Sequence, residues 1–305
     1  MDAIERDLLE KIADLHGVPS GAYNVRANGK LDGRNTTANI NIVTKKDKPG
    51  IDIIIKPYTK NESVHIPVII SETGLYDLVY NDFYIGEGAD VLIIAGCGIH
   101  NCGDQSSQHD GIHTFHIAKG AKVKYVERHY GEGDGNGENI MNPTTVVEID
   151  EGGYMEMETT QIKGINSTFR KTEAKLAKDA KIVIHEKIMT HGEQTAKTEF
   201  TVDLDGENSS ANVVSRSVAK NNSHQIFTSN INGNNKCYGH TECDAIIMDN
   251  ATVAAIPEIT ANNVDASLVH EAAIGKIAGE QLIKLMTLGL TEKEAEEQIV
   301  NGFLK

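Results

Sequence analysis

From about Gly21 to Ser267 the chain alternates apolar and polar residues with a period of two. Runs such as TANINIVT, GIDIIIKPY, HIPVIIS, ADVLIIAG, AKVKYVER, TTVVEI, YMEMETT, AKIVIHEKI, TEFTVDL, ANVVSRSV and CDAIIM are short and rich in β-branched residues. That pattern predicts half-buried strands. Segments such as Thr172 to Lys178 fit strand and helix equally. The two ends differ. Ile4, Leu8, Ile12 and Leu15 recur at helical spacing, with Gly17 placed as a stop. From Ala272 the period returns to 3.6: Ile274, Ile277, Leu282, Leu285 and Met286 mark one helix face, ended by Gly289. Thr291, with Glu294 three residues later, predicts a capping box for a second helix whose inner face holds Ala295, Ile299 and Phe303. The expected organisation is an N-terminal helix over 1–20, a strand-built core over 21–268 and a helical domain over 269–305. Two short helices cannot fold alone, so their apolar face must dock on the core or on a partner.

The turns repeat. GEGADV, AKGAKV, DEGGYM, AKDAKI and DLDGENSSANV each place a small or acidic residue and a Gly or Asp before a strand. Their markers, Gly88, Gly120, Gly152, Asp179 and Gly206, step by about 32, 32, 27 and 27 residues, in the range of a solenoid repeat. The chain therefore reads as mainly β, a β-helix or related β-solenoid in which each coil buries its inward face on its neighbours. A β-sandwich or jelly roll is the rival on turn spacing alone.

Composition narrows the function classes. No Trp and only 6 Phe leave Val, Ile, Ala and Thr to fill the core, which suits stacked strands. A net charge of -15 argues against nucleic acid and anionic membranes as partners. No apolar stretch reaches the roughly 20 residues of a transmembrane helix, and the acidic start MDAIERDLLEKI lacks signal-peptide form. A soluble, cytoplasmic protein is expected. In a reducing compartment its 4 cysteines are packed thiols, metal ligands or sulfur carriers.

Two segments concentrate chemistry. Lys236 to Glu271 holds Cys237 and Cys243 and ends on His270-Glu271, where strand-like text gives way to helix-like text. Thiol, imidazole and carboxylate can together hold a borderline metal. The other segment carries Cys97, His100, Cys102, His109, His113 and His116. Cys97 closes a strand, and a Gly/Asn/Asp/Ser loop follows. His113 and His116, three apart on a strand, point to opposite faces. Gly-rich 131–139 fits neither a calcium loop nor a phosphate loop, and reads as an acidic surface loop.

The tail HEAAIGKIAGEQLIKLMTLGLTEKEAEEQIVNGFLK, the Cys-Asp of CDAIIM and the strand ADVLIIAGC resemble the SufB/SufD family of iron–sulfur cluster assembly proteins, more SufB than SufD. The resemblance covers roughly residues 70–305. It implies a right-handed parallel β-helix with a C-terminal helical domain, acting as a scaffold without catalytic activity of its own. It implies that Cys243, His270 and Glu271 hold a nascent iron–sulfur cluster. Cys97 would accept sulfur and relay it toward Cys243 along the interior. The partners implied are a SufC-type ABC ATPase, docking on the helices that carry Ile277, Leu282, Leu285 and Met286, and a second SufB- or SufD-like subunit. Cys102 and Cys237 match no family position and stand as lesser additions to the ligand set. The chain is shorter than a typical SufB, which fits a short archaeal-type form, and both a homodimer and a SufB/SufD-like heterodimer stay open. The rivals are a SufD-like adaptor without a cluster and a β-helix carbohydrate-active enzyme. Low aromatic content counts against the enzyme.

Overall fold

The computed structural model describes residues 3–15, 19 and 21–305. The expected stop at Gly17 and the first two residues of the expected helix lie outside the described residues. In chain order the elements are α1 (Ala3–Ala13), β1 (Ala22–Ala27), β2 (Lys30–Asn35), β3 (Ile40–Thr44), β4 (Gly50–Ile55), β5 (Lys60–Ile70), β6 (Tyr76–Ile85), β7 (Asp90–His100), β8 (Ser107–Ile117), β9 (Lys122–Glu132), β10 (Asn139–Met141) and β11 (Thr144–Ile149). There follow β12 (Tyr154–Lys163), β13 (Ser167–Leu176), β14 (Lys181–Thr190), β15 (Thr195–Leu204), β16 (Ser210–Ala219), β17 (His224–Gly233), β18 (Tyr238–Ile247), β19 (Thr252–Ala261), β20 (Ser267–Gly275), α2 (Gly279–Thr287) and α3 (Glu292–Phe303). The ambiguous segment from Thr172 thus completes a strand.

The strands wind into a β-solenoid of about 8 turns. One sheet runs β2-β1-β5-β7-β9-β12-β14-β16-β18-β20; the other runs β19-β17-β15-β13-β10-β8-β6-β4-β3, with β11 beside β10 between β13 and β8. Equivalent positions in the first sheet are Lys60, Asp90, Lys122, Tyr154, Lys181, Ser210, Tyr238 and Ser267. The early coils are therefore longer than the later ones. The recurring turn is a stack of left-handed residues, each bonded to the coil above. Gly88 (φ 62), Gly120 (φ 65), Gly152 (φ 67), Asp179 (φ 57) and Asn208 (φ 59) occupy it. Their amides donate to the carbonyls of Lys119, Glu151, Lys178, Glu207 and Lys236 at 2.7–3.0 Å. The fifth marker is Asn208, not the expected Gly206: Asn, whose short polar side chain can hydrogen-bond locally, is among the few non-glycine residues that visit the left-handed region.

Period two sends alternate side chains inward, and in-register pairing stacks them. Ile93, Tyr125, Met157, Ile184 and Val213 form one buried column through five successive strands. Burying each such side chain contributes about 1.5–3 kcal/mol. The stacked Phe83–Phe115 pair, 4.4 Å between centroids, fills the early coils where Tyr125 meets it edge-on.

α1 lies on the outer face of β5 and β7 and buries Leu8, Leu9 and Ile12, with Ile4 left exposed. Gly96 and Gly98 make room for it. A β-carbon at Gly96 would lie 2.9 Å from the Ile12 carbonyl oxygen, and one at Gly98 3.2 Å from the Leu8 β-carbon. At the other end, β20 continues through Gly275, so the helix expected from Ala272 begins only at Gly279. The capping box at Thr291–Glu294 is present, and Gly289 adopts φ 99 after α2. α3 docks on the chain's own solenoid: Val300 and Leu304 are buried with Val218, flanked by Met189, Ile246, Ile277 and Phe303. α2 buries no residue.

Candidate functional site

Cys243 sits on β18, inward-facing and 1% exposed. Its register partners are Ser215 on β16 and Ala272 on β20. Burial, then Glu186 and Asp244, push its thiol up to about 12. His270 lies on β20, the last strand of its sheet, opposite the buried Thr241. Its Nδ1 is 2.5 Å from Thr241 Oγ1. Burial, then His240, lower its pKa, so the ring is neutral at pH 7. We assign Nδ1–H as donor to Thr241, which leaves Nε2 free as a ligand atom.

Glu271 does not share that face. Adjacent strand residues alternate, so His270 goes inward while Glu271 goes outward, opposite Glu242. There it joins His240 and Glu242: one ligand atom from each of the three lies within 4.8 Å of the others. The outer trio escapes a sequence reading because residues 240 and 271 meet only through the coil register. Glu242 is held above its usual range, first by a hydrogen bond with Asp244. The structure thus divides the expected ligand set across the edge of one sheet, with Cys243 and His270 inside and Glu271 outside.

The other expected residues separate from that set. Cys97, on β7, is 1% exposed, and burial pushes its thiol well up. Five strand-to-strand steps from β7 to β18 put it about 24 Å from Cys243 at ~4.8 Å per step. Cys237 packs in the main apolar core. Cys102 is exposed in the loop after β7. Ile277, Leu282 and Leu285 are half-buried, and Met286 is exposed beside Ile283 and Leu288. His113 is buried while His116 faces out, stacked on Tyr84.

Between Cys97 and Cys243 runs a buried polar chain that sequence reading missed. His113 Nδ1 lies 2.7 Å from the Tyr125 hydroxyl, which donates to Glu127 at 2.9 Å. Arg170 donates to Glu127 at 2.5 Å and sits 3.5 Å from Glu186. Thr198 and Ser215 hydroxyls donate to Glu186 at 3.1 and 2.8 Å. Ser215 is the register neighbour of Cys243. Burial opposes the charge on Glu127, but His129 and Arg170 overcome it and hold the carboxyl well below its usual range. Glu186 keeps a raised pKa from burial, only partly offset by Arg170. One guanidinium thus serves two carboxyls unequally, and the acid nearer Cys243 holds its proton more readily.

The apolar cover thins toward the last coil. Ile256, Ile259, Val264, Val269 and Ile274 are exposed on or between β19 and β20. Among the described residues, no helix is long and apolar enough to cross a membrane.

Comparison with known proteins identifies relatives of the chain. Residues 79–303 match the family model described as SUF system FeS cluster assembly, SufBD core domain. An iron–sulfur cluster assembly SufBD family protein of Methanocaldococcus jannaschii is 33% identical over 83% of this chain and 79% of its own. One from Archaeoglobus fulgidus is 30% identical over 74% of this chain but only 60% of its own length. One from Pyrococcus horikoshii is 25% identical over 97% of this chain and 84% of its own.

Proposed function

The chain belongs to the SufBD family of iron–sulfur cluster assembly proteins, and on that premise we propose that it is a scaffold on which a nascent cluster is built at the exposed end of the solenoid. The observation that carries the reading is the placement of Cys243 and His270 on the inner face, and of His240, Glu242 and Glu271 on the outer face, around one edge strand. The outer carboxylates and imidazole suit incoming iron, a hard-to-borderline ion. The inner thiol and imidazole suit the growing cluster. A buried thiol pushed up to about 12 binds iron only by giving up its proton, so iron and proton exchange at Cys243. Glu186, reached from Cys243 through its register neighbour Ser215, lies on the polar chain that would take that proton. Mixed, partial ligation holds a cluster loosely enough to hand it on.

The exposed apolar residues of the last coil suit a second subunit, and a two-fold copy of this chain would bring a second Cys243 to the same edge. A SufD-like second subunit would serve the same contact. The exposed side of α2, with Ile283, Met286 and Leu288, suits a SufC-type ATPase. Ile283→Asp should weaken capture of that ATPase at least tenfold in a pull-down. Undiminished capture would move the docking surface elsewhere.

Anaerobic reconstitution with iron and sulfide, followed by visible absorption, tests the scaffold reading. Wild type should build the sulfide-to-iron charge-transfer bands, and Cys243→Ser should lose them while keeping its circular dichroism. Equal cluster yield on both proteins would remove Cys243 from the site. A second reading, the SufD-like adaptor, is favoured by the burial and raised pKa of the Cys243 thiol, and absence of a cluster on wild type would select it.

A further inference from the structure

The expected sulfur acceptor, Cys97, is sealed inside the solenoid, with α1 packed on the outer face of its strand. The thiol that a donor can reach is Cys102, and it is not isolated. Its Sγ lies 3.0 Å from His100 Nε2. His100 Nδ1 lies 3.1 Å from Glu132 Oε1, and Glu132 Oε2 accepts from Lys11 at 2.8 Å. Burial works against the Glu132 charge, but hydrogen bonds from Lys11 and His100 outweigh it and hold the carboxyl below its usual range. This is the nucleophile–base–carboxylate order of an activated thiol.

The loop that carries it is built to be fixed. Asn101 is buried, donates to the Gln105 carbonyl at 2.9 Å and accepts from the Gly103 amide at 3.1 Å. Of the glycine-rich segment 131–139, expected to be no more than an acidic surface loop, the ends belong to β9 and β10 and residues 133–138 stack directly on it. Gly135 and Gly137 amides donate to the Asn101 and Gly103 carbonyls at 3.2 and 2.9 Å. β-Carbons at Gly133, Gly135 and Gly137 would strike the carbonyl oxygens of Asn101, Gly103 and Gln105. The alternate glycines are there so that one loop can lie flat against the other. Asp134, on that second loop, also receives a hydrogen bond from Cys102, which lowers its pKa.

We propose that Cys102, with His100 as general base and Glu132 orienting it, is the entry thiol that takes sulfane sulfur from a donor persulfide. The step is redox-neutral. His100 takes the Cys102 proton. The thiolate attacks the outer sulfur of the donor R–S–SH, a new Sγ–S bond forms and the donor S–S bond breaks. The electron pair leaves on the donor sulfur, which takes the proton back from His100. The products are a Cys102 persulfide and R–SH. The proposal rests on the scaffold reading for the use made of that sulfur, but not for the reactivity of the thiol.

The test treats reduced full-length protein briefly with inorganic polysulfide, then alkylates it and maps peptides by mass spectrometry. Cys102 should carry one added sulfur atom and Cys97, Cys237 and Cys243 none. Iodoacetamide alkylation of Cys102 at pH 7 should slow roughly tenfold or more in His100→Gln. Glu132→Gln should fall between. First labelling of another cysteine, or an unchanged rate in His100→Gln, would overturn the proposal. Cys102→Ser should still build a cluster from iron and free sulfide, because Cys102 serves only sulfur entry from a persulfide. Failure of wild type with free sulfide would sink the scaffold reading instead, leaving the labelling result to stand by itself.

Discussion

The two ends of the solenoid are finished in opposite ways. At the start, β1 and β3 pair antiparallel with β2 and β4, turning the chain back on itself. α1 then covers the flank, and Leu8 and Ile12 lie at 0% exposure. At the finish, β19 and β20 keep the parallel register to their last residue but lose their cover, and Val264 is 99% exposed. A solenoid gains its core by stacking coil on coil, so a terminal coil needs a cap. The first end has one made from its own chain. The second presents apolar side chains and an unpaired strand edge, together with the His240, Glu242 and Glu271 cluster. An edge strand of this kind is a template for pairing with another chain.

The largest expected effect lies between the ends. Arg170→Met would leave Glu127 and Glu186 buried without their cation, a loss of about 3–5 kcal/mol. A urea midpoint within error of wild type would mean that the interior chain does not join the two ends energetically. Next comes a pair of substitutions that opposes the ends directly. Leu8→Ala, at the closed end, should cost about 2–5 kcal/mol. Val269→Asp, at the open end, should change monomer stability by no more than ~0.5 kcal/mol while abolishing self-association in sedimentation. Equal losses of stability at the two sites would erase the contrast.

Acid sharpens it further. Burial drives the His113 pKa down to about 4, and His65 and His129 are lowered by burial as well. Between pH 6.5 and about 4 the unfolded chain binds a proton at His113 that the folded chain refuses. Stability is therefore full above pH 6.5 and falls as pH drops, by up to about 3 kcal/mol for His113. Glu186, raised by burial, acts with the opposite sign, because its folded state takes the proton first. Since these histidines belong to the early coils, hydrogen exchange at pH 5 should speed up in β5–β9 before β16–β20. Uniform acceleration along the chain would contradict this.

The coil repeat was legible because left-handed turn residues and inward apolar positions recur together. Asn208 in place of Gly206 shows the limit: the backbone conformation repeats, and the residue that supplies it changes. The helix expected from Ala272 failed for a related reason. Ile274 and Ile277 stand at helical spacing, but the edge pairing to Cys243–Ile246 holds that stretch extended. The rule that separated His113 from His116 also separates His270 from Glu271, so the division of the ligand set could have been read from the text. The His240–Glu242–Glu271 trio and the Glu127–Arg170–Glu186 chain could not. Arg170 is 43 residues from Glu127 and on the opposite sheet, and only coil length and stacking bring them together.

Native mass spectrometry of the anaerobically reconstituted protein tests the central claim most directly, since it reports chain number and cluster content in one measurement. The open end predicts one cluster held by a pair of subunits, lost together with the pair in Val269→Asp. A cluster carried by a single chain, and kept at full yield in Val269→Asp, would contradict it.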